Sequence, residues 1–404
     1  MRLTTLLGCL SVVVGESVPT TWMSHETCGR SEIPAYVPQD ISPSRVHVFF
    51  RHGMRTDFER HACFRNGAQP EYQCSLRTEV GLEGGSSVLI KQFKTGCEVG
   101  QLVDYAEVQM KRLGKYLAQA YPDLIYSTNS TYLRSTDKQR TLGSLDLLVR
   151  NLFKDFRSAV VHTEEFSDDP LTLADKSCKR KDHLNDEFST SQAFQQLTVN
   201  SDYFRQCSNM WRAEIGTPFP LYDSGDCLYA PRCAQVPLPG NIEPSTDLYA
   251  CVWNLYSSLR HLKYGFDKRW TEGSDFSTLA STPLWRELMS VVRDPTVTLS
   301  LWATHDDTIT SMLSSAGIWD GGWPKYAAFL AIEEYPEGSL RVIRDGVEIA
   351  RRNNWEELVP RYAMDDALYK EACELNSDAS ARAPYADLLI RGLGVSALIN
   401  ILTR

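Results

Sequence analysis

Val46-His47-Val48-Phe49-Phe50-Arg51-His52-Gly53-Met54-Arg55-Thr56 is the stretch that decides how the chain is read. Its apolar, β-branched and aromatic start reads as a buried strand. The strand delivers two arginines and a histidine into a bend at Gly53, where backbone without a Cβ lets a ligand come close. Guanidinium groups are planar, permanently charged forks that match phosphate oxygens. An imidazole set between them can serve as a nucleophile. The bend therefore suits a doubly negative oxyanion. The plain alternative is a strand end carrying solvated basic residues.

The same pattern recurs twice further along. Leu124 to Leu133 reads as a second strand, interrupted by the turn at Asn129. It delivers Arg134-Ser135-Thr136-Asp137, and a helix runs on to Phe153. Val297 to Ala303 reads as a third, ending at Thr304-His305-Asp306-Asp307 ahead of a helix from Thr308 to Ala316 that stops at Gly317. Between them, Leu102, Tyr105, Val108, Leu113, Tyr116 and Leu117 mark one face of a helix over 101–120. Ala159–His162 is a short strand, and Phe329–Glu333 with Leu340–Ile343 reads as a hairpin. Residues 60–100, with three cysteines and two glycine clusters, read as a disulfide-pinned loop region.

Strands alternating with helices predict an α/β fold with a largely parallel sheet flanked by helices. The prolines, mixed charge and Leu248, Val252, Leu255, Leu259, Leu262 stripe of residues 165–290 predict an inserted, mostly α-helical, disulfide-rich cap domain. The expected division is core at 18–164, cap at 165–290, core again at 291–360 and a tail at 361–404. Ligands of such sheets bind beyond the carboxyl ends of strands. Arg51, His52, Arg55, Arg134, His305 and Asp306 can therefore share one pocket.

Composition bounds the function. The chain has 404 residues, 43% hydrophobic and 23% charged, and a net charge of −9. That balance argues against nucleic acid or an anionic membrane as main partner. Met1-Arg2-Leu3 followed by Leu6, Leu7, Leu10 and Val12–Val14 reads as a signal peptide over 1–17. Ten cysteines follow it, an even number that suggests up to five disulfides in a secreted or lumenal protein. Asn129-Ser130-Thr131 fits a glycosylated turn. The tail from Leu388 to Leu402 carries Arg391 and reads as a surface helix rather than a stable membrane span or a glycolipid-anchor signal. A homodimer is left open.

The strand-end groups support phosphoryl chemistry. Arginines clamp the non-bridging oxygens and neutralise charge as the transition state spreads it. A neutral imidazole attacks phosphorus, and a carboxylic acid gives the departing alkoxide its proton and then activates water. No metal or other cofactor is expected, and no Gly-x-Ser-x-Gly, His-Glu-x-x-His or P-loop occurs. Read singly, Arg134 could be a helix-start residue bonded to Asp137, and Asp306 a helix N-cap.

Together, Arg51-His52-Gly53-Met54-Arg55-Thr56, Arg134-Ser135-Thr136-Asp137-Lys138-Gln139-Arg140-Thr141 and Thr304-His305-Asp306 resemble the signatures of the histidine acid phosphatases, the eukaryotic acid phosphatase and phytase branch of the histidine phosphatase superfamily. The similarity continues in Gly100-Gln101-Leu102, in Leu113-Gly114 and in Trp319-Asp320-Gly321 through Trp323-Pro324-Lys325-Tyr326-Ala327, and covers about residues 45–335. It implies an α/β core with a helical cap and a metal-free phosphohistidine mechanism. His52 would be the nucleophile and Asp306 the proton donor, with Arg51, Arg55, Arg134 and His305 holding the phosphoryl group. The substrate class implied is a small-molecule or glycan phosphate ester. The chain departs from the pattern at Asp57, where the family usually has proline, and at Asp307, where it has a small residue. Extra carboxylates there are expected to make the pocket rim less hospitable to polyanions. A 2-phosphoxylose-type glycan phosphatase, a phytase-like inositol phosphatase and a catalytically silent phosphate-ester-binding protein are the alternatives.

Overall fold

The computed structural model describes residues 28–374 except 59–62, 85–86, 95–96 and 126. The expected signal peptide and the tail helix at 388–402 lie outside the described residues. Strand β1, Arg45–Arg51, is almost wholly buried, and its alternating side chains serve two cores. Val46, Val48 and Phe50 pack with one cluster, whereas Phe49 packs with another and stacks on Trp302. Fully burying each such side chain contributes roughly 1.5–3 kcal/mol.

Residues 60–100 depart from the expected loop. Strands β2, Arg77–Gly84, and β3, Ser87–Lys94, pair antiparallel. The reason is a period-two pattern: Thr78, Val80 and Leu82 are buried on one face of β2. The glycines at 81, 84 and 85 hid it. Among the described residues the loop expectation holds only outside the two strands, where Cys74–Cys97 bridges the two ends of the hairpin.

Helix α1 begins at Tyr105 and runs to Ala120. It starts later than the sequence pattern because Leu102 pairs as a β-bridge with Arg55 and Val103 N donates to Met54 O. The start of α1 is thereby tied to the Arg-His-Gly bend. Strand β4, Thr131–Ser135, also begins later than expected. Ser127 and Thr128 donate to the Asp155 carboxylate, which holds a turn through the sequon segment. Helix α2, Gln139–Leu152, and the two-residue β5, Val160–Val161, follow.

Six helices come next: α3 Lys179–Phe188, α4 Gln192–Leu197, α5 Asp202–Glu214, α6 Ser224–Ala234, α7 Thr246–Lys263 and α8 Glu272–Arg293. Strand β6, Leu299–Thr304, feeds α9, Asp306–Ser315. Strands β7 Phe329–Glu334, β8 Leu340–Arg344 and β9 Val347–Arg352 precede the short helices α10 Trp355–Leu358, α11 Arg361–Met364 and α12 Asp366–Cys373.

The main sheet has the order β4-β6-β1-β7-β8-β9. Its three site-bearing strands, β4, β6 and β1, are parallel, and β7 to β9 extend it antiparallel. The chain is thus an α/β fold with helices on the sheet's faces and an additional, mostly helical layer. All ten cysteines among the described residues pair: Cys28–Cys233, Cys63–Cys227, Cys74–Cys97, Cys178–Cys373 and Cys207–Cys251. Two of these bridges fix α6 to the N-terminal part of the core, which brings an α6 carboxylate to the site.

Candidate active site

Parallel register brings the three strand ends together, because Arg51 lies opposite Thr304, and Ser135 opposite Ala303. His52 leaves β1 with its backbone N bound to Thr304 O. Its Nδ1 lies 2.8 Å from Gly53 O. A carbonyl oxygen only accepts, so Nδ1 carries the proton and Nε2 keeps its lone pair. Gly53 N donates to Ser144 Oγ, and Ser144 Oγ donates to Arg140 O one turn earlier in α2. A Cβ at position 53 would sit 2.7 Å from the Ala106 Cβ of α1, so the bend needs glycine for close approach.

Arg51 pairs with Asp306 Oδ2 at 2.6 Å, donates to Pro324 O and lies over the Tyr326 ring. Arg55 forms a two-pronged pair with Asp226 of α6, at 2.9 and 3.0 Å, and stacks over Phe58. His305 caps the start of α9, with Nε2 3.0 Å from Thr136 Oγ1 and Nδ1 3.5 Å from Arg140 Nη2. The His52 and His305 rings stand 5.6 Å apart, edge to face. Asp306 opens α9, where the helix dipole favours negative charge, and accepts from Trp323 Nε1.

Arg134 and Arg140 sit differently from the sequence expectation. The Arg134 guanidinium, 1% exposed, is caged by carboxylates: Nη1 and Nη2 bond Asp169 at 3.1 and 2.7 Å, and Nε bonds Glu287 at 2.7 Å. Asp169 also accepts from Leu171 N, and Leu171 O takes Thr304 and Thr308 hydroxyls beside His305. Arg134 therefore braces the segment behind the site. Its place beside His305 and His52 is taken by Arg140, which stacks over Phe58. The buried Nε atoms of Arg51, Arg55 and Arg140 all lack a hydrogen-bond partner. Orphaned guanidinium donors converging on a histidine fit an oxyanion.

The electrostatics agree. Burial, then Arg140, Arg51 and Arg55, hold His52 well below the ordinary histidine range. Burial and Arg140 do the same to His305. Burial, then Arg55 and Arg51, press the Arg140 guanidinium down to about 9, with Asp306 opposing. That is a local excess of positive charge in a chain whose net charge is −9. Burial would raise Asp306, but Arg51, Arg260 and Arg55 outweigh it and hold the carboxyl low. Asp307 goes the other way, raised by burial and by Asp306, with Arg260, Lys263 and Tyr264 opposing. Asp57 is only 2% exposed, so it is buried rather than on the rim where it was expected. Burial and the Asp226 charge raise it.

The family model of the histidine phosphatase superfamily (branch 2) matches residues 44–344. The chain belongs to that superfamily. Among curated histidine phosphatase relatives, the aligned stretch is 25% identical to the mouse lysophosphatidic acid phosphatase type 6, covering 66% of each chain. It is 25% identical to mouse testicular acid phosphatase, covering 58% of this chain and 59% of that one. The chain spans about three fifths of the length of the curated relatives it matches. Among solved structures, a Hafnia alvei phytase in complex with myo-inositol hexakis sulphate superposes with a TM-score of 0.54 at 13% identity. That match covers 84% of this chain and all of the phytase chain, and it is a likeness of fold.

Sequence reasoning missed four members of this pocket. Arg140 lay in the quoted Arg134–Thr141 stretch, and its signal was the serine four residues on that reaches Gly53. Trp323 and Tyr326 lay in a quoted stretch without a role. Asp226 had no sequence signal, since the Cys28–Cys233 and Cys63–Cys227 bridges that hold α6 place it.

Proposed function

We propose that the chain is a phosphoric monoester hydrolase acting through a phosphohistidine at His52. The observation that carries this reading is His52 Nε2 left free as a nucleophile, among the partnerless Nε donors of three arginines. The phosphoryl oxygens engage Arg51, Arg55, Arg140 and His305. Nε2 attacks phosphorus, the P–N bond forms, and the P–O bond to the leaving group breaks with its electron pair going to oxygen. Asp306 protonates that oxygen. Arg51 holds Asp306 ionised in the free site. A dianionic ester drawing on Arg51 weakens that hold and adds negative charge beside the carboxyl, and both changes favour its protonated form. Water activated by Asp306 then releases phosphate and frees His52. Arg134 supports the pocket from behind rather than touching the ester.

Five disulfides, together with the lysosomal and prostatic acid phosphatases among the relatives, support a secretory-pathway location, secreted or lumenal. Among the described residues no helix is long and apolar enough to cross a membrane. Substitution of the nucleophile tests the mechanism. His52→Ala should lower kcat on an aryl phosphate by about 10⁴-fold or more in protein that keeps its fold. Turnover near that of the unaltered protein sinks the reading.

A further inference from the structure

A cavity of about 390 Å³ opens from the candidate site toward α6 and α7, sharing Arg51, Asp226 and Tyr326 with it. Its walls are aromatic: Tyr229 from α6, Trp253 and Tyr256 from α7, and Trp323 and Tyr326 from the loop before β7. The rings brace one another. Trp253 stands edge-on to Tyr229 with centroids 4.9 Å apart and near-parallel to Tyr256 at 6.2 Å, and Tyr256 is edge-on to Trp323. Gly225 lets α6 lie against Tyr256, since a Cβ there would meet the ring at 2.6 Å. The volume suits a ligand of one or two rings.

The charges that line this cavity are already balanced. Arg51 is paired with Asp306, Asp226 with Arg55, and Lys325 stands 3.7 Å from Asp345. Arg260, which is not among the lining residues, stacks on the Tyr256 and Trp323 rings, its buried Nε without a hydrogen-bond partner and its charge felt by Asp306 and Asp307. Of the lysine and arginine side chains that line the cavity, Arg51 and Lys325, each already faces a carboxylate, so a second phosphate on the substrate would have to compete for them. An apolar ring would meet five aromatic side chains. The cavity also lies on the Asp306 side, because Trp323 both lines it and donates to Asp306 Oδ2. That is the side from which a leaving group takes its proton.

We propose that this cavity receives the leaving group, and that it selects monoesters whose leaving group is a flat, uncharged aromatic ring system over polyanionic esters. The inference rests on the hydrolase reading above. The probes are 2-(2-naphthyl)ethyl phosphate and ethyl phosphate, whose departing oxygens are both primary alkoxides, together with myo-inositol hexakisphosphate. On the full chain, kcat/KM for the naphthylethyl ester should exceed that for ethyl phosphate by about a hundredfold. Inositol hexakisphosphate should rank below the naphthylethyl ester. Trp253→Ala should cut the naphthyl-to-ethyl ratio about tenfold, the loss falling on the naphthyl ester, and Trp253→Leu should cut it less. If neither variant folds, the ratio in the unaltered protein still decides. A ratio near one, a preference for inositol hexakisphosphate, or an equal loss on both alkyl esters in the Trp253 variants overturns this inference and leaves the hydrolase reading standing. Turnover of none of the three removes the hydrolase reading and this inference with it.

Discussion

Two buried arginine pockets lie side by side at the carboxyl edge of the sheet, and they are built on opposite principles. Around Arg134, two carboxylates bond one guanidinium directly and Glu164 stands at 3.8 Å. Burial opposes the Arg134 charge, but Glu287 and Asp169 outweigh it and raise its proton affinity. Around His52, three arginines converge, Arg140 has no carboxylate bonded to it, and its proton affinity falls. The first pocket is satisfied as it stands and braces the fold. In the second, Arg51 and Arg55 each face one carboxylate and Arg140 bonds none, and the Nε atoms of all three are left without a partner. An arginine's role is thus set by its counter-charges more than by its depth, since both are buried.

The largest expected effect separates the two pockets by activity. Arg140→Met should lower kcat/KM on a phosphate monoester by about 10²–10³-fold, the loss of one charge-assisted clamp in a dry site. Arg134→Met should leave kcat/KM of the folded protein within about tenfold, yet lower unfolding stability by roughly 3–5 kcal/mol, because Asp169 and Glu287 lose their buried partner. Steady-state kinetics beside urea melts check both. The reverse pattern would return Arg134 to the phosphate clamp.

A smaller effect lies in the pH profile. His52 is held well below the ordinary histidine range, so the acidic limb of kcat/KM should fall below pH 6.5. Arg140 is the strongest charge contributor to that depression. Removing it makes the imidazolium easier to form, so the acidic limb of Arg140→Met should move to higher pH. A limb that stays put, or moves down, breaks the link between Arg140 and His52.

The smallest effect is at Asp57, a buried carboxylate that the anion pocket has not neutralised. Its proton affinity is raised by burial and by Asp226. A carboxyl raised in the folded state favours folding at low pH and loses that benefit as pH rises through its folded value. Asp57→Asn should therefore stabilise the protein by about 0.5–1 kcal/mol at pH 7, and the gain should fade on acidification toward pH 4. Melts across that range check it, and a gain that grows on acidification has the wrong sign.

Much of this arrangement was legible in the chain. The strand ending at Arg51-His52-Gly53 and the one ending at Thr304-His305-Asp306 needed only a continuous buried apolar run and a following bend, and parallel pairing brought them together. The β2–β3 hairpin was lost because glycines read as breaks, although Thr78, Val80 and Leu82 alternate. Arg134 and Arg140 could not be ranked from sequence, because their roles depend on Asp169, Glu287 and Arg55. These are brought near by a short 3-10 turn, by α8 and by the bend after β1. Asp226 and the Tyr229, Trp253 and Tyr256 part of the aromatic cavity wall come from helices whose spacing reads equally well as core, and only disulfides and packing aim them at the site.

The central claim is a covalent bond between His52 and phosphorus. Mixing the protein for milliseconds with a ³²P-labelled aryl phosphate, quenching in base and mapping the labelled peptide reads it directly. The expected result is an acid-labile, base-stable label on the peptide containing His52, formed at least as fast as turnover and missing from His52→Ala. Turnover without label on that peptide, or with the label on another residue, would contradict it.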